Sequence, residues 1–279
     1  MWVFAAQKIH PLKKTELGVD IMRLVKRSIC ISFLTLLITI PIQAYDMSKH
    51  TGKEKGGHHG HGYGRPKGPP SDIPAHIKSR SSKDGTGVNL NNSQVGVVGV
   101  RFMAEYQALQ NIQSMALKTN NLTDEGVRIL ASSPTFKNVE FLSLWDNHIT
   151  TTGAKMIAES NNFSSLKELN LAENYIGDAG VEFIINSSKI ADLEWLDLSK
   201  NKLSDASAKT IANSPHLGNL KRLDLFRNNI SPEGMKALLQ SKNLSKLEHL
   251  DLVGNNVDFD SAQALEKNTI LPKLTTLAY

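Results

Sequence analysis

An asparagine recurs at a constant interval between residues 120 and 255. Each copy ends a segment of the same form, from SMALKTN through FLSLWDN, ELNLAEN, WLDLSKN and RLDLFRN to HLDLVGN. Successive copies lie 27 residues apart, at Asn120, Asn147, Asn174, Asn201, Asn228 and Asn255. A fixed period of this length is typical of units that stack on their neighbours, because a single unit cannot bury its own apolar side. The sequence therefore predicts a repeat architecture.

The apolar pattern changes within each unit. Before the Asn, two apolar residues stand two positions apart, so both point to one face of a strand and leave the other face free. After the Asn, apolar residues take a helical spacing, as at Ile149, Met156 and Ile157. Four hydroxyl residues are predicted to cap the helices, Thr123, Thr150, Ser204 and Ser231. Since a helix is wider than a strand, we expect a curved stack with the strands on its concave side.

This unit resembles the leucine-rich repeat, L-x-x-L-x-L-x-x-N, in the long, helix-containing form found in ribonuclease inhibitor. The resemblance covers residues 85–279 and implies an α/β solenoid of about seven repeats, with a parallel sheet inside and helices outside. Its ends are degenerate, since residues 85–111 match only in part and the last repeat stops after Leu274 and Leu277. The resemblance also implies that the ladder of Asn residues bonds backbone groups of adjoining turns and is structural.

The free face of the strands is the candidate binding surface. Its predicted partner-binding residues are Phe141, Trp145, Asn170, Trp195, Asp197, Arg222, Asp224, Phe226, His249 and Asp251. The repeat does not require large aromatic side chains on a free face, so they are candidate interface anchors, although some could pack on neighbouring rungs. The three aspartates would stand on consecutive rungs and could attract a basic partner or a cation. Short polar residues at that position are also common in the family without any ligand, and Arg222 could neutralise the strip.

The N-terminus reads as an export signal. Three basic residues precede the apolar run Ser28–Ile40, and cleavage is predicted after Ala44, which makes residues 1–44 a signal peptide with a possible true start at Met22. The run of 13 residues is shorter than the roughly 17–25 that a spanning helix needs, so no stable membrane anchor is expected. The mature chain is therefore predicted to be secreted or periplasmic, and the composition suggests a bacterium.

Residues 45–84 are rich in Gly, Pro, Ser and charge, and are predicted to form a disordered linker. Three histidines in it are weak candidate metal ligands, His58, His59 and His61. The linker and signal hold 14 Lys and Arg against 6 Asp and Glu, whereas residues 85–279 hold 18 against 21, a net charge of −3. The predicted repeat domain thus lacks a basic surface for phosphates, and no nucleic-acid partner is expected.

No sequence motif points to catalysis. The one cysteine, Cys30, lies in the predicted signal, and no HExxH pair, nucleophile elbow or phosphate-binding GxxxxGK segment is present. We therefore predict a non-enzymatic, cofactor-free module that binds a protein through its concave face. Two alternatives remain: an effector of a host-associated bacterium that recruits a host protein, and a metal-handling protein that uses the His-Gly tract.

Overall fold

The computed structural model describes residues 68–279, in which strands and helices alternate. The strands are β1 (Gly87–Asn89), β2 (Ser114–Ala116), β3 (Phe141–Ser143), β4 (Glu168–Asn170), β5 (Trp195–Asp197), β6 (Arg222–Asp224), β7 (His249–Asp251) and β8 (Thr276–Ala278). The helices are α1 (Ile73–Arg80), α2 (Gly96–Glu105), α3 (Thr123–Ser132), α4 (Thr151–Glu159), α5 (Gly177–Ile185), α6 (Asp205–Asn213), α7 (Pro232–Leu239) and α8 (Phe259–Glu266). The predicted signal peptide, residues 1–44, and the three linker histidines lie outside the described residues.

The strands form one parallel sheet whose spatial order is the order of the chain, from β1 to β8. Each strand pairs in register with the equivalent residues one period later, so that Leu142, Leu169 and Leu196 stand opposite one another on successive rungs. The predicted α/β leucine-rich-repeat solenoid is thereby confirmed. Its degenerate ends contribute β1 and β8.

The core lies between the sheet and the helices. The central residue of β2 to β6 is fully buried, as is the apolar residue just after each of these strands, for example Leu196 and Leu198. Apolar residues of the helices, such as Ile157 and Ile184, join the same continuous cluster. The other residues of each strand point away from this core, as the two-residue alternation requires.

Polar contacts between repeats fix where several helices begin. Thr150, Ser204 and Ser231 are N-caps, as predicted, and each also donates its hydroxyl to an aspartate 26 residues earlier, for example Ser231 to Asp205 at 2.6 Å. The prediction for Thr123 is wrong, because α3 begins at this residue with φ 56° and Leu122 is the N-cap. The position 26 residues before Thr123 is Val97, which offers no carboxylate to hold the hydroxyl.

The C-terminal part of the predicted linker, residues 45–84, is folded, since α1 lies within it. Asp72 caps α1 through the backbone N–H of Ala75 at 2.9 Å, and Ile77 is fully buried in the common core. Ser81 then forms an antiparallel bridge with Val88 of β1. The polar composition of this segment hid the helix, since a single buried isoleucine gives no detectable period.

Within residues 68–279, none of the helices has the length and apolar character needed to cross a membrane.

Candidate functional site

The recurring asparagines lie inside the body and are used by the scaffold. Asn174 is 2% exposed, and its amide nitrogen donates to the carbonyls of Leu144 and Leu171 at 3.0 and 2.9 Å. Its amide oxygen accepts from the backbone N–H groups of Asn147 and Ile149 at 3.1 and 2.9 Å. One side chain therefore bonds backbone groups of two successive repeats, which leaves no part of it for a partner.

The open sheet face consists of the outward positions of β2 to β7, namely the first and third residue of each strand and the residue two positions after it. All ten sequence-predicted partner-binding residues lie on this face, because the register stacks equivalent positions on adjacent rungs. Rungs of a sheet are about 4.8 Å apart, so neighbouring side chains in each column are within contact distance.

Both tryptophans of the open sheet face have a cationic neighbour from the chain itself. The ammonium of Lys118 lies 3.4 Å from the ring centroid of Trp145, one rung away. The guanidinium of Arg222 lies 5.3 Å from the ring of Trp195 on the adjacent strand. Both tryptophans are half-buried, so part of each ring remains open to solvent. Cation–π contacts of this kind stabilise an exposed ring by about 0.5–1 kcal/mol.

The smaller aromatic side chains are also half-buried. Phe226 follows β6, and the guanidinium of Arg227 lies 5.0 Å from its ring. Phe141 is the first residue of β3 and pairs with Glu168 of β4. His249 begins β7 beside Arg222 and is half-buried as well. These side chains share the open sheet face with the tryptophans.

Three aspartates occupy the third position of β5, β6 and β7. Asp224, in the middle, accepts from Arg222 Nε and from Trp195 Nε1, both at 2.9 Å, and is only 7% exposed. Asp197 accepts from Asn170 Nδ2 at 2.9 Å and from the Ser199 hydroxyl at 2.6 Å. Asp251 accepts from the backbone N–H of Val253 at 2.8 Å. The central carboxylate thus has a charged donor, whereas the hydrogen bonds to its two neighbours come from neutral groups.

The environment of Asp197 and of Asp251 favours the protonated form of each side chain. Burial, reinforced by the charge of Asp224, raises the pKa of Asp197 to about 6. Burial is also the main cause that raises the pKa of Asp251 to about 6, with a smaller contribution from Asp224. Arg222 opposes both shifts without cancelling them. The strip contains three carboxyl groups and one guanidinium, that of Arg222, which pairs with Asp224.

Glu168 belongs to the same group, although sequence reasoning did not select it. It begins β4, one rung from Trp195, and its Oε2 is buried with no hydrogen-bond partner among the described residues. Burial and the nearby Glu194 raise the pKa of Glu168, against the effect of Arg222. The sequence period places Glu168 at an outward position of β4, but it does not predict that the carboxylate is buried. Asn170, by contrast, is 7% exposed and orients Asp197, so little of it can reach a partner.

A row of alternating charge borders the open sheet face just before the strands. Lys167 pairs with Glu140 at 2.8 Å, and Lys221 pairs with Glu194 at 2.7 Å. These residues share one phase of the repeat, which is the sequence signal that could have identified them. The pairs are about half exposed and contribute little stability, on the order of 0–1 kcal/mol each. They do neutralise one another, which leaves the aspartate strip as the charged feature of this surface.

The described residues contain no group of three or more His, Cys, Asp or Glu side chains placed to hold a metal ion. The aspartate strip is therefore a ladder of separated carboxylates rather than a coordination sphere. Hydrogen-bond acceptors beside aromatic surface suit recognition of a cationic or amide-rich ligand.

Comparison with known proteins places the repeat motif in part of the chain. The family model described as "Leucine Rich repeat" matches residues 137–158, 164–184, 191–212, 216–239 and 243–265. No curated protein matches the chain.

Three solved structures are similar to part of this chain. A leucine-rich-repeat protein from Leptospira interrogans is 24% identical over 62% of this chain and 44% of its own, with a TM-score of 0.41. An internalin from Listeria monocytogenes is 21% identical over 62% of this chain and 49% of its own, with a TM-score of 0.39. A plant ice-binding protein is 22% identical over 61% of this chain and 49% of its own, with a TM-score of 0.35. The match spans less than half the length of each of these proteins.

Proposed function

Because its described residues form a leucine-rich-repeat solenoid, we propose that this chain is a protein-binding module that recognises its partner through the open sheet face. The fold is a typical protein-interaction module. One broad face of its sheet does not pack against the hydrophobic core. The partner is proposed to be a protein, not nucleic acid, since the net charge of residues 85–279 is −3.

The observation that carries this proposal is the placement of large aromatic side chains where the repeat does not need them. Trp195 begins β5, whereas the equivalent positions of β2 and β6 hold Ser114 and Arg222. Trp145 follows β3, while Ala172 and Ser199 occupy the equivalent places one and two repeats later. Large aromatic residues, tryptophan above all, contribute much of the binding energy at protein interfaces.

Binding, rather than catalysis, is the proposed activity. The polar groups of the open sheet face are arranged as columns that repeat every rung, and their hydrogen bonds run along the columns, as from Asn170 to Asp197. A catalytic site needs a nucleophile or base held by a third group around one reacting atom. A repeated column instead offers the same chemistry to several points of an extended ligand.

Export is the second part of the proposal, and it rests on the N-terminal sequence. The basic residues, the short apolar run and the small residue Ala44 form a cleavable signal, after which the mature chain begins near Tyr45. Sequencing the N-terminus of protein recovered outside the cytoplasm tests this. A mature form that retains Cys30 would contradict it.

Affinity capture with matched aromatic variants tests the binding face. Trp145→Ala removes an aromatic ring of the open sheet face, while Phe183→Ala removes an exposed ring from α5. The two are comparable because each ring has a lysine beside it, Lys118 at 3.4 Å and Lys155 at 5.4 Å. If the open sheet face binds the partner, Trp145→Ala weakens capture at least tenfold, as the loss of an interface anchor does.

The Phe183→Ala control distinguishes binding at the open sheet face from binding at the helices. Phe183→Ala should capture the partner as well as the unaltered chain does, and both variants should keep their melting temperature within a few degrees. Loss of capture by Phe183→Ala alone would place the interface on the helices and overturn the proposal.

A further inference from the structure

We propose that the open sheet face over β4 to β7 recognises a basic segment of its partner, with cationic side chains bound by Asp197 and Asp251 on either side of Asp224. This rests on the proposed binding function and adds the chemistry of the ligand.

Charge balance is the first argument. On these four rungs the open sheet face carries four carboxylates and one guanidinium, Glu168, Asp197, Asp224, Asp251 and Arg222. Two bordering lysines pair with other carboxylates, Lys221 with Glu194 and Lys200 with Glu173, while the guanidinium of Arg227 lies 5.0 Å from the ring of Phe226. The excess of carboxylates over cations therefore remains on the face itself, where a basic ligand is electrostatically complementary.

The unequal partners of the three aspartates are the second argument. Among the described residues, Asp224 alone of the three has a salt bridge, to Arg222 at 2.9 Å. Asp197 and Asp251 receive only neutral donors, although both are partly buried. A buried carboxylate without a cation is stabilised by any cation that reaches it, more so than an exposed one.

The chain itself shows the binding geometry. Arg222 lies over the ring of Trp195 at 5.3 Å while its Nε donates to Asp224 at 2.9 Å. A guanidinium is thus already accommodated between an aromatic face and a carboxylate of this strip. Asp197 and Asp251 lie one rung to either side of Asp224 and offer the same carboxylate acceptor to cationic side chains of a partner.

The spacing of the rungs specifies the ligand further. Asp197 and Asp251 are two rungs apart, so their backbones are separated by about 10 Å. A peptide in the polyproline II conformation rises about 3.1 Å per residue with three residues per turn, so two basic side chains three positions apart lie on one side and span about 9 Å. The inferred ligand is therefore an extended segment with the pattern Arg-x-x-Arg lying across the strands.

Peptide binding to the full-length chain tests this inference. The probe is a fluorescent octapeptide of Gly and Ser with arginines at its third and sixth positions, compared with peptides that carry two glutamines or two adjacent arginines. We expect the Arg-x-x-Arg peptide to bind most tightly. The double variant Asp197→Asn with Asp251→Asn should weaken that binding about tenfold, as expected for two ion pairs of ordinary strength.

A second double variant controls for net charge. Glu105→Gln with Glu182→Gln removes the same two charges from exposed positions on α2 and α5. It should leave peptide binding within about twofold of the unaltered chain, since those sites are distant and screened. The single variant Asp251→Asn, which keeps the acceptor for Val253, gives a smaller loss and serves if the double variant unfolds.

The peptide and capture experiments together distinguish failure of the basic-segment inference from failure of the proposed function. Equal binding of the three peptides, or equal losses in the two double variants, would overturn the basic-segment inference. If partner capture still depends on Trp145 in that case, the proposed function stands and only the ligand chemistry is wrong. If capture is also insensitive to Trp145, the proposed function itself fails.

Discussion

At the scale of single residues, the molecule separates polar groups that hold repeats together from polar groups that face outward. The amide of Asn174 uses its donors and acceptor on five backbone groups, whereas the carboxylate of Asp251 has one backbone donor. Both residues recur every 27 positions, so their period does not distinguish them. The difference is burial, and it determines what each can do.

Replacing Asn174 by Ala should lower the free energy of unfolding by about 1–3 kcal/mol, because buried backbone groups of two repeats lose their partner. Asn229→Ala is the matched control, since Asn229 is exposed and next to the ladder residue Asn228. Urea denaturation of both variants measures the difference. Equal stability of the two would show that water replaces the ladder amide without cost.

The pKa of Asp251 predicts a pH-dependent gain in stability on substitution. Because the pKa is raised to about 6 in the folded chain and is lower when unfolded, the folded state binds this proton more tightly. Stability from this group is therefore present at low pH and is lost as pH rises through about 6. Asp251→Asn should stabilise the protein by about 1 kcal/mol near pH 7.5, and the gain should shrink toward about pH 4.5.

Chemical denaturation of the unaltered chain and of Asp251→Asn over that pH range checks the sign. Comparison at each pH cancels the carboxylates whose pKa is lowered, such as Asp178, where hydrogen bonds from Ser204 and Ser207 outweigh burial. A gain that grows with acidity would contradict the raised pKa.

At the residue scale, the sequence predicts which residues of the candidate site share one face but not their contacts. Columns of outward residues follow from the strict 27-residue period, so the sequence alone predicts that Trp145, Trp195 and the three aspartates share one face. Their contacts depend on side-chain reach between rungs. The cation over each tryptophan and the indole bonded to Asp224 come from residues 27 to 29 positions away. No local pattern predicts which of several nearby lysines or arginines will fold over a ring.

At the scale of elements, glycine and aspartate together determine how one helix meets the next. A Cβ on Gly234 would lie 2.3 Å from Oδ1 of Asp205, the carboxylate that accepts from the Ser231 N-cap at 2.6 Å. Gly153 makes the same room for Asp124, at 2.5 Å. No local sequence pattern identifies this contact, because the aspartate belongs to the preceding repeat.

Gly234→Ala should therefore destabilise the fold by about 1–3 kcal/mol, since the methyl group displaces Asp205 and weakens the cap of α7. Gly218→Ala is the control, because a Cβ there meets nothing within 4 Å. The melting temperatures of the two variants measure the effect. A stabilised Gly234→Ala would mean that the gain in helix propensity exceeds the cost of moving the carboxylate.

At the scale of the whole described body, the stack has a covered N-terminal end. The segment with α1 bonds to β1 on the side that β2 leaves open, and Ile77 extends the core by one layer. Terminal repeats have one neighbour only, so they depend on such a cover. Sequence reasoning found every internal strand and missed this segment, because a cover occurs once and has no period.

Ile77→Ala should cost about 2–5 kcal/mol, as for other fully buried isoleucines, and the loss should appear first in β1 and α2. Hydrogen exchange resolved along the chain measures where protection is lost. Ala75→Ser, at an exposed position of the same helix, should leave exchange unchanged. Uniform loss of protection from β1 to β8 in Ile77→Ala would show that the stack unfolds as one unit instead of from its end.

The in-register sheet has a further consequence for how the chain could change length. Every interstrand pairing joins residues 27 positions apart, as Leu169 with Leu196, and no strand pairs beyond its immediate neighbours in the part of the chain that the structure describes. Excising or duplicating a block of that size would bring equivalent positions back together with the same register. The number of rungs, and with it the length of ligand that can be spanned, is therefore open to change by whole units without redesign of any single contact.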